Sequence, residues 1–259
     1  MTEPKLFALD FDGVLCDSVL ETAASGWKAA LSIWPDMPKT EAPNALLEQF
    51  RQVRPMIETG YESIFGMRLL FTGESIESIR FGYTEKTEAL IRQTGSTVDG
   101  LKKLFEDTRD HWIAADLAGW VAMNPLYSGV ADKLKVLDDN HHWIVTTTKQ
   151  ERFVNYILQA NGIELPGDRL FGLDRKLNKS QILKMLLKTH PEHSLNFVED
   201  RFLTLVNIAK DPELVSVKLI LANWGYNTEE DRLQAAQQGF SGISLAEFLA
   251  FCSFARFLS

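Results

Sequence analysis

The sequence has 259 residues, of which 45% are hydrophobic and 24% are charged, and its formal net charge is -8. This composition provides a substantial apolar core, and the negative charge argues against nucleic acid or an anionic membrane surface as the main partner. Cys16 and Cys252 are far apart in the sequence, which argues against a disulfide framework and favours a reducing compartment.

No apolar run approaches the ~20 residues that a membrane-spanning helix needs. The first residues also lack the basic and apolar segments of a signal peptide. We therefore expect a cytoplasmic protein that makes no membrane contact.

The first predicted element is a strand over residues 5–9, which runs into Asp10, Asp12 and Gly13. Two carboxylates at positions i and i+2 of an extended chain point to the same side. Burying two unpaired carboxylates is costly, and a divalent cation or a shared proton relieves that cost. Gly13 favours a turn with the backbone open to a close ligand. The acidic pair therefore indicates a functional site.

A long helical region follows. Asp17 or Ser18 can cap a first helix that runs to about Trp34. Good strand candidates are absent between residues 43 and 123. Further predicted helices cover about 44–53, 56–71, 74–93 and 97–119.

From Asn124 onwards, predicted helices alternate with short apolar strands. The strands are predicted at 142–146, 195–198 and 215–221. The helices are predicted at about 129–140, 150–161, 180–189, 201–209, 228–238 and from Leu245. This alternation predicts βαβ units with a parallel sheet.

The predicted organisation is a discontinuous α/β domain, 1–17 with 124–259, and an all-helical domain over 18–123 inserted after the first strand. Ligands of parallel sheets gather at the carboxyl ends of the strands. We therefore expect the helical domain to cover the site as a lid.

Further reactive residues follow the other predicted strands. Residues 146–149 read Thr-Thr-Thr-Lys, and Glu199 with Asp200 follows the strand 195–198. Lys179 stands just before a helix that Ser180 is expected to cap. Each residue alone has a structural explanation, such as a helix cap or a solvated lysine. Their common position at strand ends favours one shared site.

In these motifs the chain resembles haloacid dehalogenase (HAD) superfamily phosphatases that carry a helical cap, and phosphoglycolate-phosphatase-like members in particular. The family's opening motif, Asp-x-Asp-Gly with an aliphatic pair, is matched by Asp10 to Leu15. Its later motifs are matched by the threonines after strand 142–146, by Lys179, and by Glu199-Asp200. The resemblance implies a three-layer, Rossmann-like parallel sheet as the core.

The resemblance also implies roles for these residues. Asp10 would be the nucleophile that forms an aspartyl-phosphate, and Asp12 the general acid and base. Thr147 would bind a phosphoryl oxygen, with Thr148 as a further substrate contact. Lys179 would neutralise charge on Asp10 and on the phosphoryl group. Mg²⁺ would be held by the side chains of Asp10 and Asp200 and the backbone carbonyl of Asp12, with Glu199 as a further candidate ligand.

Some assignments stay open in the sequence. Thr146 is the alternative to Thr147, and Lys176 competes with Lys179. The family often has a second Asp four residues after the metal-binding one, where this chain has Thr204. Arg54 is offered as a substrate contact from the helical domain, although a solvated helix face explains it better.

The histidines are less informative. His141 and His142 would face opposite sides of a strand, which is poor ligand geometry. His190 and His193 flank Pro191 in a polar loop and are expected at the surface.

These observations predict a Mg²⁺-dependent phosphatase acting on a small phosphorylated metabolite, of the phosphoglycolate or sugar-phosphate type. A mutase of the same superfamily and a binding protein on a retained HAD scaffold are the alternatives. The sequence says nothing about the oligomeric state.

Overall fold

The computed structural model of the protein describes residues 4–140 and 142–250, without the side chains of residues 138–140 and 142. The chain divides into two compact units. One contains the described residues of Met1–Asp17 and Pro125–Ser259, and the other is Ser18–Asn124. The boundaries lie within one residue of the predicted ones.

The first unit is built on a six-stranded parallel sheet. Its strands are β1 (Lys5–Leu9), β2 (His142–Thr146), β3 (Leu170–Phe171), β4 (Ser194–Glu199), β5 (Lys218–Ala222) and β6 (Ser241–Ile243). They lie in the order β3-β2-β1-β4-β5-β6, so β1 is central and pairs with β2 and β4. Four consecutive residues of β1 are buried, from Leu6 to Leu9, as expected for a strand covered on both faces.

The helices of this unit precede, connect or follow strands β2 to β6. They are α6 (Val130–Asn140), α7 (Glu151–Ala160), α8 (Lys179–Thr189), α9 (Phe202–Ala209), α10 (Glu229–Gln237) and α11 (Leu245–Ala250). Ile182, Leu183 and Leu186 of α8 belong to a buried cluster with Phe197 of β4 and Leu205 of α9. The unit therefore has the predicted α/β architecture with a parallel sheet.

The second unit is helical. Its helices are α1 (Val19–Ile33), α2 (Asn44–Val53), α3 (Ser63–Phe71), α4 (Ile76–Thr94) and α5 (Val98–Ala122). Two 3-10 turns, Arg54–Met56 and Gly60–Glu62, lie between α2 and α3. No strand occurs in Ser18–Asn124, all of which the structure describes.

Several predicted boundaries were wrong. The helix predicted over 56–71 begins at Ser63, because the Glu62 carboxylate accepts the N–H groups of Glu58 and Thr59 and fixes a separate turn before it. The strand predicted over 215–221 begins at Lys218, because the N–H of Val217 closes a turn onto the carbonyl of Leu214.

Two short strands, β3 and β6, had no prediction. They contain two and three residues, too few for a strand period to appear in the sequence. Within the described part of the chain, no helix is both long and apolar enough to cross a membrane.

Candidate active site

The sheet register brings the ends of three strands to the same level. Leu9 lies opposite Val145 of β2 and Val198 of β4, so the next residues are Asp10, Thr146 and Glu199. The N–H of Asp10 donates to the carbonyl of Val198 at 2.9 Å, which fixes Asp10 beside the end of β4. The carboxyl ends of these parallel strands therefore present two carboxylates and a hydroxyl next to one another.

Lys179 joins this group from the start of α8. Its ammonium Nζ lies 2.7 Å from Oδ1 of Asp10 and 2.6 Å from Oε2 of Glu199. Glu199 is fully buried, and its other oxygen accepts the N–H groups of Asp200 and Arg201. These contacts favour a role for Glu199 in holding Lys179, beyond that of a candidate metal ligand.

The electrostatics of the cluster are unusual. Burial raises the pKa of Asp10 to about 7; the Lys179 ammonium opposes the rise, and the Glu199 carboxylate adds to it. Burial alone would lower the pKa of Lys179, but the charges of Asp10 and Glu199 outweigh it and raise the pKa. Lys179 is therefore protonated at neutral pH and offers a fixed positive charge beside Asp10.

The start of α8 differs from the prediction. Lys179 is the first residue of the helix, and its cap is Asn178, whose side chain accepts the N–H of Gln181 at 2.9 Å. The Gln181 side chain accepts the N–H of Asn178 in return, so the two form a capping box. Ser180 is thus not the cap. This fixed helix start aims Lys179 at the strand ends.

Asp12 has a partner to which the sequence analysis gave no role. Nζ of Lys149 lies 2.8 Å from Oδ1 of Asp12, and the lysine side chain is only 2% exposed. Lys149 lies three residues after the end of β2, so the same strand-end argument that selected the threonines could have selected it. The site therefore contains two lysines: Lys179 pairs with Asp10, and Lys149 pairs with Asp12.

Asp200 is held by the loop that follows β5. Its Oδ2 accepts the N–H of Tyr226 at 2.7 Å, and its carbonyl accepts the Asn227 side-chain amide at 3.0 Å. Asn227 also donates to the carbonyl of Ala222, which ties this loop to the end of β5. The backbone of Tyr226 and the side chain of Asn227 therefore hold Asp200 in place.

Gly13 is required by its conformation and by its surroundings. Its φ is +88°, in the left-handed region, and a Cβ there would lie 2.1 Å from Oδ2 of Asp200. The glycine therefore lets the chain turn after Asp12 while Asp200 stays close.

The three threonines have different environments. Thr146, the last residue of β2, is fully buried, and its hydroxyl has no hydrogen-bond partner among the described residues. Oγ1 of Thr147 accepts the N–H of Lys149 at 3.1 Å, while Thr148 is exposed. Thr147, which is 6% exposed, stays the predicted contact for a phosphoryl oxygen, with Thr146 as the alternative.

The acidic group suits a hard divalent cation. Asp10, Glu199 and Asp200 each offer an oxygen, and these oxygens lie within 4.8 Å of one another. All three residues are buried, and oxygen is the ligand atom that Mg²⁺ prefers. The residues present therefore fit Mg²⁺.

Other candidates lie outside this group. Lys176 is exposed and has a φ of +55°, and it is Lys179 that reaches Asp10. Arg54 belongs to the helical unit, where its Nη1 donates to the carbonyl of Ile57. Its role as a substrate contact stays a prediction. His141 and the side chain of His142 fall outside the described residues.

No protein-family model matches this sequence. A search of curated proteins also gave no match.

Solved structures do match. A haloacid dehalogenase-like hydrolase from Streptococcus pneumoniae is 16% identical, with a TM-score of 0.61 over 97% of this chain and 99% of that one. A predicted phosphoglycolate phosphatase from Haemophilus somnus is 19% identical, with a TM-score of 0.64 over 98% and 99%. A predicted phosphatase from Clostridium acetobutylicum is 17% identical, with a TM-score of 0.61 over 96% and 98%.

The coverage includes nearly the whole of each chain, so the similarity extends to both units. At these identities it is the fold that is shared. The chain therefore has the fold of the haloacid dehalogenase-like hydrolases.

Proposed function

We propose that this protein is a Mg²⁺-dependent phosphatase that hydrolyses a small phosphomonoester through an aspartyl-phosphate. The observation that carries the proposal is the group of buried carboxylates Asp10, Glu199 and Asp200 at the ends of β1 and β4. The Lys179 ammonium lies against Asp10 and Glu199, and Asp12 is two residues from Asp10. A buried nucleophile beside a fixed lysine is the arrangement that phosphoryl transfer needs, because the protein's task there is positioning and charge stabilisation.

In the first step, an oxygen of Asp10 attacks phosphorus and the bond between phosphorus and the ester oxygen breaks. Asp12 gives its proton to the departing oxygen. The Lys179 ammonium, 2.7 Å from Asp10, balances the negative charge that collects there. The hydroxyl of Thr147 can donate to a phosphoryl oxygen, with that of Thr146 as the alternative.

In the second step, Asp12 takes a proton from water and the resulting hydroxide attacks phosphorus. The bond between phosphorus and Asp10 breaks, which releases phosphate and restores the Asp10 carboxylate. Asp12 carries a proton in both steps, and its contact with Lys149 positions it when the site is empty of substrate.

Mg²⁺ would be held by the side chains of Asp10 and Asp200, with the Asp12 carbonyl and Glu199 as further candidates. When bound, the ion neutralises charge on the transferring phosphoryl group. The hydrogen bond from the Tyr226 N–H to Oδ2 of Asp200 supports this proposal, because it fixes the orientation of the Asp200 carboxylate, a proposed metal ligand.

The substrate class is a small phosphorylated metabolite of the phosphoglycolate or sugar-phosphate type. Support comes from the names of solved structures that share the fold, since two of the three reported above are described as predicted phosphatases. We further propose that the helical unit, including Arg54, contributes to the choice of substrate.

The test is phosphate release from a broad panel of phosphomonoesters, with Mg²⁺ and with a chelator. We expect the wild type to hydrolyse at least one ester with Mg²⁺ and none with the chelator. Asp168→Asn, the control at an exposed aspartate, should behave as the wild type does. Asp10→Asn should show no hydrolysis. Activity that survives Asp10→Asn would contradict the proposed nucleophile.

Transfer of the phosphoryl group to another hydroxyl, without release of phosphate, would favour a mutase. Absence of activity on every ester together with absence of Mg²⁺ binding would favour a binding protein.

A further inference from the structure

A second group of metal-ligating side chains lies at the turn between α8 and β4. His190 directly follows α8 as its C-terminal cap, and His193 directly precedes β4. Together with Glu192 they offer two imidazoles and a carboxylate whose ligand atoms lie within 4.8 Å of one another. The sequence analysis expected both histidines at the surface, but both are partly buried.

The backbone of this turn is fixed. The N–H of His190 donates to the carbonyl of Leu186 at 2.9 Å, which closes the last turn of α8. The N–H of His193 donates to the carbonyl of His190 at 3.1 Å, so residues 190–193 form a β-turn with Pro191 at its second position. Proline restricts φ at that position, which reduces the conformational entropy that a bound ion would have to overcome.

The side chains converge on this turn. The imidazole rings of His190 and His193 lie 5.5 Å apart, edge to face. Nδ1 of His193 lies 3.0 Å from Oε1 of Glu192. The His193 side chain is 11% exposed while that of Glu192 is 63% exposed, so one ligand is held by packing and another can adjust.

We propose that His190, Glu192 and His193 form a second metal site that binds a divalent transition ion of the Zn²⁺ type. Two imidazoles and one carboxylate are the donors that Zn²⁺ takes in proteins, with water completing the coordination. Mg²⁺ is the wrong ion for this set, because it prefers oxygen ligands. The inference does not depend on the proposed phosphatase activity.

The two metal groups are distinct. His193 precedes β4 and Glu199 ends it, which separates them by roughly 20 Å at ~3.3 Å per residue. An ion at the turn would join the end of α8 to the start of β4, the two elements whose other ends carry Lys179 and Glu199. The site therefore suits a structural clip that stabilises the α/β unit without entering the proposed reaction.

The test is calorimetric titration of the untagged full-length protein with ZnCl₂ in an excess of Mg²⁺, which competes with Zn²⁺ for the oxygen ligands of the acidic cluster. Wild type is expected to bind one more equivalent of Zn²⁺ than His190→Gln and His193→Ala. The matched control is His111→Ala, because His111 is an exposed histidine on α5 that lies away from the turn in sequence. It should bind Zn²⁺ as wild type does.

Added Zn²⁺ should also raise the Tm of wild type and of the control more than that of the two turn variants, since binding to the folded state stabilises it. Equal Zn²⁺ stoichiometry and affinity in wild type and both turn variants would overturn the proposal. Should a turn variant fail to fold, Co²⁺ added to the wild type decides instead. Paramagnetic broadening of the His190 and His193 imidazole signals supports the site, and broadening that spares them overturns it.

Discussion

Asp10 carries a carboxylate in a place where burial favours the neutral form. Its pKa is raised from 3.8 to about 7 because burial outweighs the attraction of Lys179, and Glu199 adds a second negative charge nearby. Two buried carboxylates share one lysine, so the group has an excess of one negative charge. A bound divalent cation would relieve this excess, and without one the buried negative charge destabilises the folded state.

We therefore predict that Asp10→Asn stabilises the metal-free protein at high pH. In the folded state Asp10 keeps its proton up to about pH 7, whereas in the unfolded chain it loses the proton near 3.8. The unfolded state then binds fewer protons, so this group makes stability fall as the pH rises through that window. The asparagine variant does not titrate, and its advantage should reach a few kcal/mol.

The measurement is urea unfolding of both proteins in a chelator at about pH 5 and about pH 8, with the difference in unfolding free energy compared between the two. The variant's advantage should be larger at the higher pH. Mg²⁺ should then stabilise the wild type more than the variant. A wild type that is equal to or more stable than Asp10→Asn at the higher pH would contradict the buried-charge argument.

Lys149 gives a second prediction. Lys149→Met removes the positive charge that lies 2.8 Å from Asp12, so kcat should fall by about 10²-fold, a typical loss for one preorganised electrostatic group. Steady-state kinetics on the best substrate of the panel measures this. Lys188→Met, on the exposed side of α8, is the control and should retain wild-type kcat. Equal kcat in both variants would show that Lys149 is a structural partner of Asp12 and nothing more.

The turn after Asp12 is the element on which the site depends most. Gly13 combines a φ of +88° with an approach to Asp200 that leaves no room for a side chain. Gly73, between α3 and α4, has a similar φ of +83° but nothing within 4 Å of its virtual Cβ. The two glycines therefore separate the cost of the backbone conformation from the cost of the steric clash.

We predict that Gly13→Ala abolishes Mg²⁺-dependent phosphatase activity while Gly73→Ala leaves it near the wild-type level. Both variants bear about 1–2 kcal/mol of backbone strain, but only the alanine at position 13 pushes Asp200 away from the acidic group. Activity and Mg²⁺ binding by calorimetry are the two measurements. If Gly13→Ala kept wild-type affinity for Mg²⁺, the close packing of Gly13 against Asp200 would not be needed for metal binding.

Elements with a strong hydrophobic period could be predicted from the sequence. Helix α2 was predicted over the residues it occupies, Asn44–Val53, because its apolar residues recur at helical spacing. The strand β3 could not be predicted, since Leu170–Phe171 is too short to show a period and forms only against β2. The helix cap at Asn178 was missed because Ser180 is also a good capping residue, and the choice depends on the capping box with Gln181.

The candidate site was predicted through one topological rule, that parallel strands end at the same edge. This rule predicts, from the sequence alone, that Asp10, Lys179, Glu199 and Asp200 lie close together. It could not assign Lys149 to Asp12, because which side chain pairs with which depends on distances that the sequence does not contain. The support of Asp200 by Tyr226 was also hidden, because it comes from a backbone N–H that any residue other than proline provides.

At the scale of the whole molecule, the helical unit contains a buried ion pair of its own. Glu21 of α1 is fully buried and accepts bonds from Nε and Nη2 of Arg109 on α5, at 2.7 and 2.6 Å. Trp120 and Ser25 donate to the same carboxylate. Both carboxylate oxygens of Glu21 thus accept hydrogen bonds. The ion pair of Glu21 with Arg109 joins α1, the first helix of the unit, to α5, the last.

We predict that Arg109→Met destabilises the helical unit by about 3–5 kcal/mol, because it leaves the Glu21 charge buried with neutral donors alone. Arg109→Lys should recover part of the loss, since an ammonium supplies charge without the two parallel bonds. The control is Arg68→Met in the same unit. Arg68 pairs with Asp36, whose side chain is 58% exposed, so the lost ion pair should cost at most about 1 kcal/mol.

Thermal unfolding and hydrogen exchange measure these changes, and exchange shows which unit carries them. The loss of protection should be concentrated in α1 and α5 and should leave the central strands β1 and β4 protected, because the sheet contains none of the substituted residues. If Arg109→Met and Arg68→Met had equal effects, burial of Glu21 would not set the strength of the pair. If the strands lost protection together with α1, the two units would unfold as one cooperative body.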